Sequence, residues 1–299
     1  MAKSHTPRVP LSVATLGIAT FAGMDVLMKA LATELGTYNA MFWRTSIALA
    51  IASVLYLSAR KGWPKGSTLR LHIWRGMVTS VMAFLFFWGV VRVPLAEAIA
   101  LSFIAPLIAL YLAAVLLRES IGSKAVVASA IGFVGALVIV GGRLGGEYSD
   151  DTGKGMAAIL LSAVLYAYNL ILQRQQAVIA APAEIVFFQC ATVVAVYLPF
   201  APFLAVVPSI ELLPSLAGAA VLGIASILLL SWAYARAEAS VLIPVEYTAF
   251  IWAALFGWLV FSEAVTLTTL AGTSLIVCGC LIAAQQRPER VQHIENTAV

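Results

Sequence analysis

Residues 88–119 read WGVVRVPLAEAIALSFIAPLIALYLAAVLLRE, and residues 232–263 read WAYARAEASVLIPVEYTAFIWAALFGWLVFSE. At a constant offset of 144, Trp88 falls on Trp232, Arg92 on Arg236, Ile99 on Ile243 and Glu119 on Glu263. Phe103 falls on Tyr247, an aromatic on an aromatic. The same offset carries Gly135 onto Gly279 and Asp25 onto Asn169, while the second apolar run slips by one, setting Phe42-Trp43-Arg44 against Phe187-Phe188-Gln189. One gapless offset over so long a stretch indicates an internal duplication. Both copies are continuously apolar over lengths that a helix needs to cross about 30 Å of hydrocarbon, roughly 20 residues.

The rest of the chain has the same character. Its 299 residues are 62% hydrophobic and only 11% charged, with a mean hydropathy of +0.98. A soluble domain carries about 25% charged residues, so lipid is the expected solvent. Ten apolar runs are long enough to span: 10–30, 39–59, 71–92, 95–117, 124–142, 155–176, 183–204, 214–236, 239–262 and 266–286. Unbroken runs favour helices over a β-barrel, whose strands alternate. The run from Pro10 exceeds the 7–15 residues of a signal-peptide core, so it is taken as an uncleaved first span. Thirteen of the 18 Lys and Arg, Arg75 among them, fall on the side that holds both ends of the chain, and four fall on the other. Both termini are therefore expected in the cytoplasm. Five spans per copy is an odd number, so the second copy enters the membrane upside down. The expected fold is an all-α integral membrane protein with ten transmembrane helices in two inverted five-helix repeats, residues 1–148 and 149–299, around a central cavity. Inverted repeats are the architecture of secondary transporters, which rock one half against the other around a midplane site.

The hairpins that close each half carry a further pattern. Pro106-Leu107, an apolar stretch to Arg118-Glu119, then Gly132 and Gly135 are answered by an apolar stretch to Glu263, then Gly272 and Gly279. Phe250 stands where the first half has Pro106. With the ten spans and two copies, this resembles the EamA-type branch of the drug/metabolite transporter superfamily over nearly the whole chain, and within it bacterial exporters of aromatic amino acids. The resemblance implies a monomer in the bacterial inner membrane and a basket of helices around a cavity. It also implies no bound cofactor, and export of amino acids or related amphipathic metabolites. An exporter of drugs or organic cations is the alternative.

Polar groups inside spans are costly, about 2.5–3.5 kcal/mol for a central charge on insertion scales, so each needs a reason. Asp25 and Arg44, read near the outer ends of spans one and two, are expected either as an ionic gate or as a headgroup ion pair. Their mates Asn169 and Gln189 are the matching neutral gate at the inner mouth. Ser162, Tyr166, Asn169, Gln173 and Gln176 recur at spacings of 4, 3, 4 and 3, which keeps them on one face of span six. That face is expected to line water or substrate, with bonding between helices as the alternative. Glu246 is a candidate for a substrate ammonium or a proton, or a partner for backbone freed by Pro244 or for Arg236. Phe84, Trp88, Phe103, Trp232, Tyr247 and Phe250 are candidates for stacking on an apolar substrate. Trp63, Trp74 and Tyr148 read as interfacial anchors. Pro106 and Pro244 are candidate hinges. The four hairpin glycines read as packing positions, and Glu119 and Glu263 as hairpin caps.

Other classes find little support. His5, His72 and His293 fall in tails or at a loop edge, so no buried histidine is expected to serve a metal or acid–base chemistry. Cys190, Cys278 and Cys280 lie in apolar stretches and read as packing residues. There is no phosphate-binding G-x-x-x-x-G-K-[ST] loop. Neither an enzyme nor a nucleic-acid binder is indicated. The expected partners are membrane lipid and a small-molecule substrate.

Overall fold

The computed structural model describes residues 8–59, 62–117, 123–144, 150–234, 236 and 245–284, and every regular element within them is helical. In chain order these are α1 (Arg8–Leu35), α2 (Thr37–Ala59), α3 (Ser67–Val90), α4 (Leu95–Ser102), α5 (Ala105–Leu117), α6 (Ser123–Leu144), α7 (Asp150–Ile179) and α8 (Pro182–Tyr197). A 3-10 turn (Leu198–Phe200) and the short α9 (Ala201–Leu204) prolong α8, and α10 (Leu213–Tyr234), α11 (Thr248–Phe261) and α12 (Leu267–Ala284) follow.

Among the described residues, six stretches are long and apolar enough to cross a membrane: Val9–Leu35, Thr37–Ser58, Ser67–Val90, Asp150–Gln173, Pro182–Leu204 and Leu213–Leu230. Shorter apolar helices cover Leu95–Ala109, Ser129–Gly142, Thr248–Phe261 and Leu267–Ile282. Large apolar side chains point away from the protein on their outer faces, including Phe133 and Leu137 on α6 and Ile251, Trp258 and Leu259 on α11. Water would penalise such a surface; hydrocarbon does not.

The turns follow residue chemistry. Gly36, at φ 79°, alone separates α1 from α2, and Gly66, at φ 57°, precedes α3. Asn39 locks the first corner by donating from Nδ2 to the Leu35 carbonyl (3.1 Å) and accepting at Oδ1 from the Val206 amide (2.8 Å). Four pairings organise the bundle: α1 on α10, α3 on α7, α6 on α12 and α2 on α8. Glycines set the closest crossings. A Cβ on Gly135 of α6 would stand 2.6 Å from the Gly272 carbonyl oxygen of α12, and one on Gly272 would stand 2.5 Å from that of Gly135. Gly89 of α3 and Gly155 of α7 meet in the same way. Small residues bring helices together in lipid because dispersion and close backbone contact replace the hydrophobic effect there.

The run 95–117 does not form one straight helix. It breaks at Phe103-Ile104, between α4 and α5, with Pro106 in the first turn of α5. Proline has no N–H to continue the upstream ladder and clashes with the preceding turn, which accounts for a restart at this point. A second interruption falls at Tyr247, the residue matched to Phe103. The two rings meet edge to face, with centroids 5.3 Å apart.

Candidate functional site

The polar face of α7 divides into two. Ser162, Asn169 and Gln176 recur every seven residues and are buried, whereas Tyr166 and Gln173 keep exposed surface one turn around. The buried set bonds to α3. Ser162 donates to the Met82 carbonyl (2.8 Å). Asn169 Oδ1 accepts from Arg75 Nε (3.1 Å) and from Thr79 Oγ1 (3.3 Å). Arg75 Nη1 donates to Gln176 Oε1. Half of the expected lining face is thus an interhelical seam, and only Tyr166 and Gln173 remain free to line a path.

Arg75 and His72 are not exposed loop-edge residues. Both are buried in α3, His72 with 1% of its surface exposed and Arg75 with 6%. Since guanidinium nitrogens only donate, Gln176 must accept at Oε1, so its Nε2 donates to His72 Nδ1. That fixes the imidazole tautomer: Nε2 carries the proton and donates to Glu184 Oε1 (2.9 Å), with the ring stacked on Phe188. Positions 72, 75 and 79 share one face of α3, a spacing visible in the sequence but discounted because positive charge was assigned to loops.

No carboxylate pairs with Arg75 among the described residues; its partners are amides. Tyr166 lies within electrostatic reach of both Arg75 and Glu246. Tyr166 and Glu246 both keep exposed surface, beside the helix interruption where Tyr247 meets Phe103. A cation, a phenol and an acid therefore stand within one region of the fold.

Asp25 and Arg44 differ most from expectation. Asp25 is ten residues from the end of α1, about 15 Å at 1.5 Å per residue, which is the middle of a ~30 Å core and not its rim. It is 2% exposed, and neither carboxyl oxygen has a hydrogen-bond partner. Arg44 lies near enough to act on it electrostatically. The guanidinium nevertheless turns elsewhere, donating from Nη2 to Met24 Sδ (3.2 Å) and lying against Gly223. The expected ion pair is not formed. Nor is the expected inner pair: Asn169 is committed to Arg75 and Thr79, while Gln189 is half-buried on α8.

Trp88 and Trp232 repeat one arrangement. Arg92 stacks on Trp88 at 3.6 Å and donates to its carbonyl (2.7 Å), and Arg236 stacks on Trp232 at 4.1 Å and donates to its carbonyl (3.2 Å). A guanidinium already covers one ring face of each, and a cation held on an indole suits a headgroup boundary. Phe84 is half-buried one turn before Trp88, and Phe250 is half-buried on α11. Pro244, Glu119 and Tyr148 lie outside the described residues.

Glu263 caps α4 and not its own hairpin. It accepts from the Leu95 amide (2.7 Å) and forms an ion pair with Lys29, which also donates to the Val93 carbonyl (2.8 Å). Thr269 donates to Glu97 (3.1 Å), whose charge also reaches Lys29.

The sequence profile of the EamA-like transporter family matches twice in tandem, over residues 10–141 and 153–285. The chain belongs to the EamA-like transporter family. It is 28% identical over 280 residues to the pseudopaline exporter CntI of Pseudomonas aeruginosa, covering 92% of this chain and 95% of that one. It is 24% identical over 262 residues to the S-adenosylmethionine uptake transporter of Rickettsia bellii, covering 88% of each. A solved crystal structure shares the fold at a TM-score of 0.61 and 18% identity, covering 92% of this chain and 96% of that one. The family and these relatives are transporters and not enzymes, so the chain is a multi-pass membrane transporter of small molecules.

Proposed function

We propose that the chain is a secondary exporter of amino acids, aromatic or otherwise apolar, and of related metabolites, working by alternating access in the bacterial inner membrane. Ten spans in two oppositely oriented five-helix copies, residues 1–148 and 149–299, with both termini cytoplasmic, are the architecture of this reading. It is supported by the tandem family match, by helix interruptions at the matched residues Phe103 and Tyr247, and by the matched Trp–Arg stacks. A monomer suffices, since both copies are in one chain.

The observation that carries the substrate class is the Arg75–Tyr166–Glu246 group. Arg75 is buried in the seam and held by amides that leave its charge uncompensated, so its field favours an anionic group that comes up to Tyr166. Glu246, beyond Tyr166, offers the opposite charge to an ammonium group. Phe103, Tyr247 and Phe250 lie beside it for an apolar side chain, and Pro106, three residues after Phe103, is the proposed hinge. The exposed acid at Glu246 favours a second reading, an exporter of organic cations.

Purified protein in liposomes tests this with labelled amino acids and organic cations, each with and without a pH gradient. Uptake of phenylalanine-like amino acids above empty liposomes is expected. Cation uptake without amino-acid uptake would overturn the reading in favour of the second.

A further inference from the structure

Six buried polar side-chain atoms lack a hydrogen-bond partner among the described residues, and five of them lie on α1, α2 and α10. They are both carboxyl oxygens of Asp25, Arg44 Nε, Thr45 Oγ1 and Ser226 Oγ. These three helices pack on one another. Native proteins pair such atoms almost always, so a concentration of orphans in one place asks for an explanation.

Space and charge restrict what Asp25 can hold. Its oxygens are sealed from solvent and receive no donor from the described residues. A carboxylate would keep its full charge there with no contacting partner, which burial strongly opposes. A proton needs no cavity and removes that charge.

The surrounding charges agree. Arg44 of α2 faces Asp25 without touching it and is itself faced by Cys190 and Tyr197 of α8. Lys29, one turn along α1, is bound to Glu263. The described parts of α10 and α11 carry no charged residue, and His72 and Arg75 of α3 are bonded to α7 and α8.

The repeat supplies a comparison within the molecule. Asn169, the mate of Asp25, has the same shape but no titratable proton, and its Oδ1 accepts from Arg75 and Thr79. The position that titrates is thus found in one copy only.

We infer that Asp25 is the site at which the transport cycle takes up and releases a proton, and that Arg44 is the group that displaces it. In the conformation described here, Asp25 carries the proton and Arg44 stands aside on Met24 and Gly223. When the helices move so that water reaches Asp25, the proton passes to that water and the carboxylate pairs with Arg44. This builds on the reading of the chain as a carrier and supplies its coupling ion.

The test separates the two ideas. Infrared difference spectra of the liposome-embedded protein between acid and alkaline pH need no substrate. Wild type should show a pH-dependent carboxylic-acid carbonyl band, Asp25→Asn should lack it, and Asp25→Glu, which keeps an acid of similar size, should restore it. In the transport assay, Asp25→Asn should lose accumulation driven by the pH gradient, tenfold or more. An unchanged band in Asp25→Asn, or gradient-driven accumulation surviving in it, overturns the assignment. Failure of every amino acid in the panel overturns the proposed substrate class and leaves the infrared result to decide on Asp25.

Discussion

Replacing Lys29 by Met leaves Glu263 in place without its cation. The Lys29 side chain is 6% exposed and that of Glu263 19%, so the pair is held largely away from water. Removing one partner of a buried pair costs roughly 3–5 kcal/mol, chiefly because the remaining charge is stranded. Glu263 keeps the Leu95 amide and some exposure, which points to the lower end, about 3 kcal/mol. At roughly 2 °C per kcal/mol for a large domain, that lowers the melting temperature by about 6 °C. Glu263→Gln alone retains an acceptor for Leu95 but strands Lys29, and should melt lower as well. The double variant removes both charges and should recover part of the loss, because position 263 no longer holds a stranded charge, although Glu97 still loses the cation that its charge reaches. Thermal unfolding in one detergent, over the full cycle of four proteins, measures the coupling. Lys29→Met melting with wild type, or a double variant whose loss is the sum of the two single losses, would refute the argument.

Other substitutions probe the rest of the fold. Gly135→Ala sets a Cβ 2.6 Å from the Gly272 carbonyl oxygen and should cost about 1–3 kcal/mol in unfolding assays, whereas Gly141→Ala, which meets open space, should match wild type. Arg75→Met deprives Asn169 and Gln176 of their donor at roughly 1–3 kcal/mol per stranded group; amino-acid transport should fall tenfold or more, and Arg75→Lys should restore only part of it. Trp232→Leu removes a surface cation–π stack at a cost of about 0.5–1 kcal/mol and should leave the transport KM unchanged.

The helices were legible because lipid imposes one rule on every span: long, apolar and internally bonded. Their ends were less so. The first apolar run ends at Ala30, but α1 continues through Glu34 to Leu35. Those added residues put Asp25 ten positions from the helix end and so nearer the middle than the rim. Glycine packing was legible at Gly132, Gly135 and Gly272, where only a missing Cβ permits the approach. The α3–α7 seam was not. Arg75 and His72 look like loop charges in one dimension, and only the opposing amides Asn169 and Gln176 make their burial tolerable. Periodicity put five polar residues on one face of α7, but it could not tell the three that face a neighbouring helix from the two that do not.

Gly36 is the whole connection between α1 and α2. A joint one residue long permits the two arms to scissor but not to slide or turn independently. Asp25 lies eleven residues down one arm and Arg44 eight down the other, so any change in the angle at Gly36 is read out as the gap between carboxyl and guanidinium. Stiffening that corner, or loosening it with a longer loop, would retune that distance without altering either charge.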